Sequence, residues 1–140
     1  MTSKPYARAL LAGASAGLRT FTAPAVTLAS TTNVWTGAVS LAAAGELVFD
    51  KLAIAPSRMR PGGLTARFFS GGSCGASLAA RNEGSRAVGA ALGALTALGT
   101  AWLGNRGRGF VAARGLPDFP FALLEDAIAF GLARVANTLD

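Results

Sequence analysis

Histidine is absent from the 140 residues, and the only cysteine is Cys74. Without histidine the chain cannot form the Ser-His or Cys-His pairs of common nucleophilic enzymes, and it cannot build a histidine metal site. A single thiol cannot form an internal disulfide or a structural zinc site. The sequence therefore predicts a protein that is not an enzyme, with no cofactor and no bound metal.

Charge is also scarce. Only 14% of residues are charged, 51% are hydrophobic, and the mean hydropathy is +0.43, whereas soluble domains average about 25% charged residues. Alanine occupies 31 positions and glycine 18, and these side chains offer little apolar area to a water-soluble core. Membrane helices that pack through small residues avoid this difficulty. We therefore predict an all-α polytopic membrane helix bundle that forms a single domain, residues 1–140.

Five apolar segments are long enough to be membrane spans, which need about 20 residues each. The fourth is the clearest, because Ala87 to Asn105 is uncharged throughout. The third and fifth are weaker and leave a re-entrant or broken helix open, so that four to six spans are compatible with the pattern. The approximate bounds are residues 7–29, 35–53, 64–80, 87–105 and 119–137.

Basic residues in the short loops predict the orientation of the bundle. The net charge is +6, and its distribution between apolar runs favours membrane topology over nucleic-acid binding. Alternating spans give the first and third the same direction. They assign Lys4, Arg8, Lys51, Arg58, Arg60, Arg67, Arg106, Arg108 and Arg114 to one side, and Arg81, Arg86 and Arg134 to the other. The positive-inside rule then predicts a multi-pass protein of the inner (plasma) membrane with a cytoplasmic N-terminus.

Glycines four residues apart recur along the chain. The pairs are Gly13 with Gly17, Gly71 with Gly75, and Gly89 with Gly93. The first pair also matches the G-x-S-x-G nucleophile motif around Ser15, but no histidine is present to activate that serine. The spacing therefore indicates close helix packing. We predict a homo-oligomer, most simply a dimer, that associates through the Gly89 and Gly93 face or the Gly13 and Gly17 face.

Ionisable residues within the predicted spans are the best candidates for a functional site, because a charge at a helix centre costs about 2.5–3.5 kcal/mol on insertion scales. Arg19 and Glu46 have matched depths on successive spans, which predicts an ion pair between them. The candidate ion- or substrate-binding residues are Glu46, Asp50, Glu125, Asp126 and Arg19. The candidate mouth or headgroup contacts are Asp118, Lys51, Arg58 and Arg60.

Two interpretations of these charges remain open. They are structural salt bridges, or they line a polar pathway in which several carboxylates converge. In the fifth span Glu125 and Asp126 point about 100° apart. One is expected to face the second span, and the other to meet Arg106, Arg108 or Arg114.

Four phrases of the sequence together resemble the small bacterial integral membrane proteins of the family called "domain of unknown function 4126". The phrases are Gly17-Leu18-Arg19-Thr20-Phe21-Thr22-Ala23-Pro24-Ala25, Gly45-Glu46-Leu47-Val48-Phe49-Asp50-Lys51-Leu52, Pro56-Ser57-Arg58 with Arg60-Pro61, and Leu116-Pro117-Asp118-Phe119-Pro120 with Leu124-Glu125-Asp126-Ala127. The resemblance covers nearly the whole chain. It implies a helical membrane protein without an assigned activity, and the family's charged positions match Arg19, Glu46, Asp50, Lys51, Glu125 and Asp126.

Two functions from different classes follow. The first is a small transporter or channel with an inner-leaflet acidic site. The alternative is a non-transporting scaffold or accessory subunit of a larger membrane complex. A transporter needs a hydrated cavity that reaches the acids, whereas a scaffold can bury them as dry, paired bridges. In both cases the expected partners are membrane lipids and further protein chains, with no nucleic acid.

Overall fold

The fold is a bundle of α-helices in a computed structural model that describes residues 4–29, 34–49 and 59–139. Within those residues no strand occurs, and the all-α prediction is confirmed. Asp50, Lys51 and Arg58 lie outside the described residues. The helices are α1 (Lys4–Leu18), α2 (Thr22–Leu28), α3 (Val34–Phe49), α4 (Pro61–Arg81), α5 (Arg86–Ala113) and α6 (Asp118–Thr138). The predicted spans fall on these helices, and the first span is divided between α1 and α2.

Local sequence explains where the longer helices begin and end. Pro61 stands in the first turn of α4, where a backbone N–H has no intrahelical partner to lose. Ser85 caps α5 by accepting a hydrogen bond from the Val88 N–H at 3.5 Å. Gly115 follows α5 with a φ of +65°, a left-handed conformation that glycine adopts without strain. Between these signals α5 runs for 28 residues, about 42 Å.

Contacts between α1, α4 and α5 fix the directions of these helices. Pro5 lies against Gly84, just before α5, and Gly13 lies against Gly93, so α1 and α5 run parallel. Gly71 and Gly75 of α4 face Gly93 and Gly89 of α5 in turn, so α4 runs antiparallel to both. The prediction that the first and third spans share a direction is therefore wrong for α1. The short connection at residues 82–85 makes α4 and α5 antiparallel neighbours, and α1 then packs on α5 in the parallel sense.

The remaining contacts show that α2 turns back along α1. Ser15 donates to the Ala129 carbonyl oxygen at 2.8 Å, and Arg8 donates to the carbonyl oxygen of Leu139, which makes α6 antiparallel to α1. Asn137, near the end of α6, donates to the Thr27 hydroxyl at 3.3 Å, so α2 runs in the direction of α6 and opposite to α1. The Thr36 hydroxyl donates to the Leu28 carbonyl oxygen at 3.3 Å near the start of α3, and Glu46 near its end reaches Thr20 and Phe21. The helix α3 is therefore antiparallel to α2 and shares its direction with α1.

These directions redistribute the basic residues between the two ends of the bundle. The end where α1 begins carries Lys4, Arg8, Arg81, Arg86 and Arg134, and Arg60, Arg67, Arg106, Arg108 and Arg114 lie nearer the opposite end. Among the described residues the nine-to-three bias is replaced by five against five. The count that predicted a cytoplasmic N-terminus is therefore wrong, because α1 and α5 are parallel.

Backbone contact between glycines forms the centre of the bundle. A Cβ atom on Gly13 or on Gly71 would collide with the Gly93 carbonyl oxygen, and a Cβ atom on Gly75 would collide with the Gly89 carbonyl oxygen. All three predicted glycine pairs thus pack helices of one chain against each other. The prediction that a dimer forms through the Gly13 or Gly89 faces is wrong, because those faces are already covered within the chain. Self-association itself stays a prediction.

Small side chains are buried and large apolar side chains are exposed, which is the reverse of the arrangement in a water-soluble protein. Among the described residues the buried apolar side chains are alanines, apart from Cys74 and Leu78. Large apolar side chains point outward on every helix except α2; Leu95, Phe69 and Leu41 are 66%, 66% and 75% exposed. One helix of the described chain, α5, is long and apolar enough by length and composition to cross a membrane.

We predict that Gly93→Ala destabilises the bundle by about 2 kcal/mol or more, because its methyl group would overlap the Gly71 carbonyl oxygen and force α4 away from α5. Gly99→Ala is the matched control on the same helix, where nothing lies within 4 Å of the added methyl. Its higher helix propensity should leave stability unchanged or raise it by up to about 1 kcal/mol. Thermal unfolding followed by circular dichroism measures both, and equal melting temperatures would contradict the described glycine contact.

Candidate functional site

The helix of the first predicted span is broken inside the bundle, and the chain reverses its direction at this break. α1 ends at Leu18 and α2 begins at Thr22, so that residues 19–21 connect them. In a continuous helix the N–H groups of Thr20 and Phe21 would bond to carbonyls one turn earlier. Here they donate to the two carboxylate oxygens of Glu46 on α3, at 2.8 and 2.9 Å. The Glu46 carboxylate therefore replaces two backbone acceptors.

Side chains of α4 satisfy the carbonyl oxygens that the break leaves open. Arg67 Nε donates to the Gly17 carbonyl oxygen at 3.0 Å. The Ser70 hydroxyl donates to the Thr20 carbonyl oxygen, which a helix would pair with the N–H of residue 24; Pro24 has none. Arg67 Nη2 also lies 4.0 Å from Glu46 Oε1. Side chains of α3 and α4 together satisfy the backbone N–H and carbonyl groups that are left without helical partners between α1 and α2.

Arg19 lies at this break and is 1% exposed. It forms an ion pair with Asp126 of α6. The prediction that Arg19 pairs with Glu46 is wrong in its partner, although Glu46 does lie beside the same break. The Glu46 carboxylate accepts hydrogen bonds from the backbone N–H groups of Thr20 and Phe21, the two residues that follow Arg19. The antiparallel α6 instead brings Asp126 to the guanidinium of Arg19.

Glu125 points to a different helix from its neighbour Asp126. Both Nε and Nη2 of Arg108, on α5, donate to Glu125 Oε2, at 3.2 and 3.1 Å. Arg108 Nη1 lies 3.5 Å from Oδ2 of Asp118, at the exposed start of α6. The prediction that one of these carboxylates meets Arg106, Arg108 or Arg114 is confirmed for Arg108. The expectation that the other faces the second span is wrong, since Asp126 faces α1.

The described acids of the site are paired individually with arginines. Arg19 pairs with Asp126, and Arg108 with Glu125, while Arg67 approaches Glu46. The predicted convergence of repelling carboxylates is therefore wrong for these three acids, and Asp50 lies outside the described residues. Of the candidate mouth residues, Asp118 joins Arg108, and Arg60 is exposed just before α4.

Sequence reasoning missed Arg67 as a member of the site and named Arg108 only as one of three possible partners of a fifth-span carboxylate, because both were counted as loop residues of one membrane side. A signal existed for Arg67, which lies inside the predicted third span at residues 64–80. Arg108 lies beyond the predicted end of the fourth span. Its signal is the absence of a helix-ending residue before Gly115.

A small cavity adjoins the Arg108–Glu125 pair. Its volume is about 110 Å³, which is room for several water molecules. Apart from Glu125 its lining is apolar: Leu18, Gly104, Phe121, Leu124 and Ile128. The cavity lies between α1, α5 and α6 on the side of the break where Glu125 is buried.

Comparison with protein-family models, with curated proteins and with solved structures found no match. The resemblance to the "domain of unknown function 4126" family therefore stays a prediction, and the site is interpreted from its own geometry.

We predict that Arg19→Met and Asp126→Leu each destabilise the protein by about 3–5 kcal/mol, because each leaves a buried charge without its partner. The double variant should recover part of the summed loss, since both charges are then removed. Arg19→Met combined with Glu46→Gln is the matched control and should recover none. Unfolding titrations of the four variants measure the coupling. A recovery confined to the Glu46 combination would contradict the Arg19–Asp126 pair.

Proposed function

We propose that the chain is a multi-pass integral membrane protein of the inner membrane. The inverted packing supports this proposal: exposed leucine, phenylalanine and valine side chains cover the outside of the helices, and a patch of that size on a soluble monomer would promote association. Arg106 stacks on exposed Trp102 with 4.8 Å between Cζ and the ring centroid. An aromatic ring beside a basic residue about 30 Å along α5 from Arg86 suits a membrane interface.

Alkaline carbonate extraction tests the membrane placement. The protein should stay in the membrane pellet, because its apolar exterior needs lipid, and detergent should release it. Recovery of folded protein in the carbonate supernatant would contradict the proposal. The cytoplasmic N-terminus stays a prediction that side-specific labelling of Cys residues introduced near Lys4 and near Gly115 checks directly.

Within that membrane protein we propose a transporter or channel whose working part is the break between α1 and α2. The observation that carries this proposal is the pair of hydrogen bonds that Glu46 accepts from the backbone N–H groups of Thr20 and Phe21. Irregular backbone at membrane depth persists only where protein groups or water satisfy it, as in re-entrant segments that turn back within the bilayer. Here the satisfying group is ionisable and comes from another helix.

Protonation gives this arrangement a way to change state. A carboxylate offers two acceptor oxygens, and protonation converts one of them to a donor. One of the N–H groups of Thr20 and Phe21 then loses its acceptor. Proton binding at Glu46 would therefore weaken the attachment of α3 to the break, and movement of α3 would expose the Arg19–Asp126 pair to a pathway. We propose proton- or cation-linked transport on this basis.

We predict that Glu46→Gln lowers proton or cation flux in proteoliposomes at least tenfold while the variant stays folded, because glutamine keeps an acceptor oxygen but cannot exchange a proton. Leu41→Ala on the exposed face of α3 is the matched control and should leave flux unchanged. Fluorescent pH and ion indicators inside the vesicles measure the flux. Absence of flux from the folded wild-type protein would contradict transport.

The pairing of the described acids of the site with arginines favours a second candidate, a scaffold or accessory subunit. In that function the break and its ion pairs serve only stability. A scaffold predicts no flux, together with co-purification of a defined partner or a homo-oligomeric mass in native membranes. Because the faces of the three glycine pairs are covered, any such association must use other surfaces, among them the large exposed side chains.

A further inference from the structure

A groove runs along the outer seam of α4 and α5, on the opposite side of these helices from the charge cluster. Its larger part has a volume of about 560 Å³ and is almost entirely apolar, between Phe68 and Phe69 at one end and the small residues Gly72 and Ala90 on its floor. A second part of about 360 Å³ continues it and ends at Arg81 and Arg86. Both parts are lined by Ala76, so the groove is continuous.

The two arginines at the end of the groove differ from those of the charge cluster. Arg19, Arg67 and Arg108 are held by carboxylates or carbonyl oxygens. Arg81 and Arg86 are exposed, and within the part of the chain that the structure describes neither forms an ion pair, even with Glu83 in the turn between them. Two guanidinium groups beside an apolar groove are complementary to an amphipathic anion.

The length of the groove suits one leaflet of a bilayer. Phe68 and Arg81 are 13 residues apart on α4, or about 20 Å at the helical rise. Half of a hydrocarbon core is about 15 Å. A ligand with its phosphate at the arginines would therefore lay an acyl chain along the apolar part, as far as the two phenylalanine rings.

We propose that this groove is a binding site for one anionic phospholipid, with its phosphate between Arg81 and Arg86 and an acyl chain over Gly72 and Ala90. The proposal rests on the membrane placement proposed above and is independent of transport. It assigns a role to Arg81 and Arg86 and to the small residues on the outer face of α4. The packing of the glycine pairs in the core does not explain these residues.

Native mass spectrometry of the full-length, detergent-purified protein tests the site, with phosphatidylglycerol and phosphatidylcholine as probes. The wild type should retain phosphatidylglycerol in preference and with a stoichiometry of one per chain. Arg81→Gln with Arg86→Gln should weaken that binding roughly tenfold to thirtyfold, since each basic residue near the surface contributes measurably to anionic-lipid affinity. Arg134→Gln, an exposed arginine at the same end of the bundle, is the matched control and should change little.

A second variant tests the apolar part separately. A Cβ atom on Gly72 meets its nearest neighbours at 3.5 Å, so Gly72→Leu should fold normally and fill the groove. It should lower phosphatidylglycerol retention, whereas Gly99→Leu, which faces open space on α5, should not. Equal retention of both lipids by the wild type, or equal losses in the Arg134 control, would overturn the proposal. Full displacement by inorganic phosphate would also overturn it, because the site would then recognise the anion without the chain. Release of the folded protein into the carbonate supernatant would be a separate result, against the membrane placement itself.

Discussion

The contact on which the rest of the structure depends is the backbone approach of α1 and α4 to α5 at Gly93. Both neighbours place a glycine there, Gly13 and Gly71, and neither position has space for a Cβ atom. Helices this close cannot hold large side chains between them, so alanine fills the remaining core and the leucines and phenylalanines must lie outside. The packing therefore gains little from the hydrophobic effect and much from van der Waals contact between backbones, which is how helices associate in lipid.

The same close contact explains why polar side chains can sit inside. Ser15 bonds to the carbonyl oxygen of Ala129, and Thr100 bonds to that of Ala14 at 3.1 Å, so hydroxyl groups link neighbouring helices through their backbones. Past Gly17 the glycine stripe of α1 ends, and Pro24 removes one backbone donor from the following turn. The chain breaks there, and groups from α3 and α4 replace the lost hydrogen bonds. The break is thus held by the bundle and is not a local property of residues 19–21.

Composition and glycine spacing were sufficient to predict helices, close packing and the approximate bounds of each span. They were not sufficient to predict direction, because the first span turns back on itself at residues 19–21, which makes α1 parallel to α5, as the contact of Gly13 with Gly93 shows. Depth along a helix correctly brought Glu46 and an acid of α6 to the level of Arg19. Depth did not show which of these two acids pairs with Arg19. Glu46 is instead bound by backbone N–H groups at the break, and in a continuous helix those groups would be paired with carbonyl oxygens.

The charges at the break divide into two kinds, and this division reconciles the two candidate functions. Arg19 and Asp126 are opposite charges in direct contact, so neutralising either removes the ion-pair partner of the other, and such a pair is suited to a permanent structural role. Glu46 is bound at 2.8 and 2.9 Å by neutral amides, while its nearest described cation, Arg67, is 4.0 Å away and already donates to the Gly17 carbonyl oxygen. Neutralising Glu46 therefore weakens its two hydrogen bonds to the backbone, while Arg67 keeps its hydrogen bond to the Gly17 carbonyl oxygen. In the proposed transport function, the Arg19–Asp126 pair therefore supplies structural stability, and Glu46 is the residue to which the proposed change is assigned.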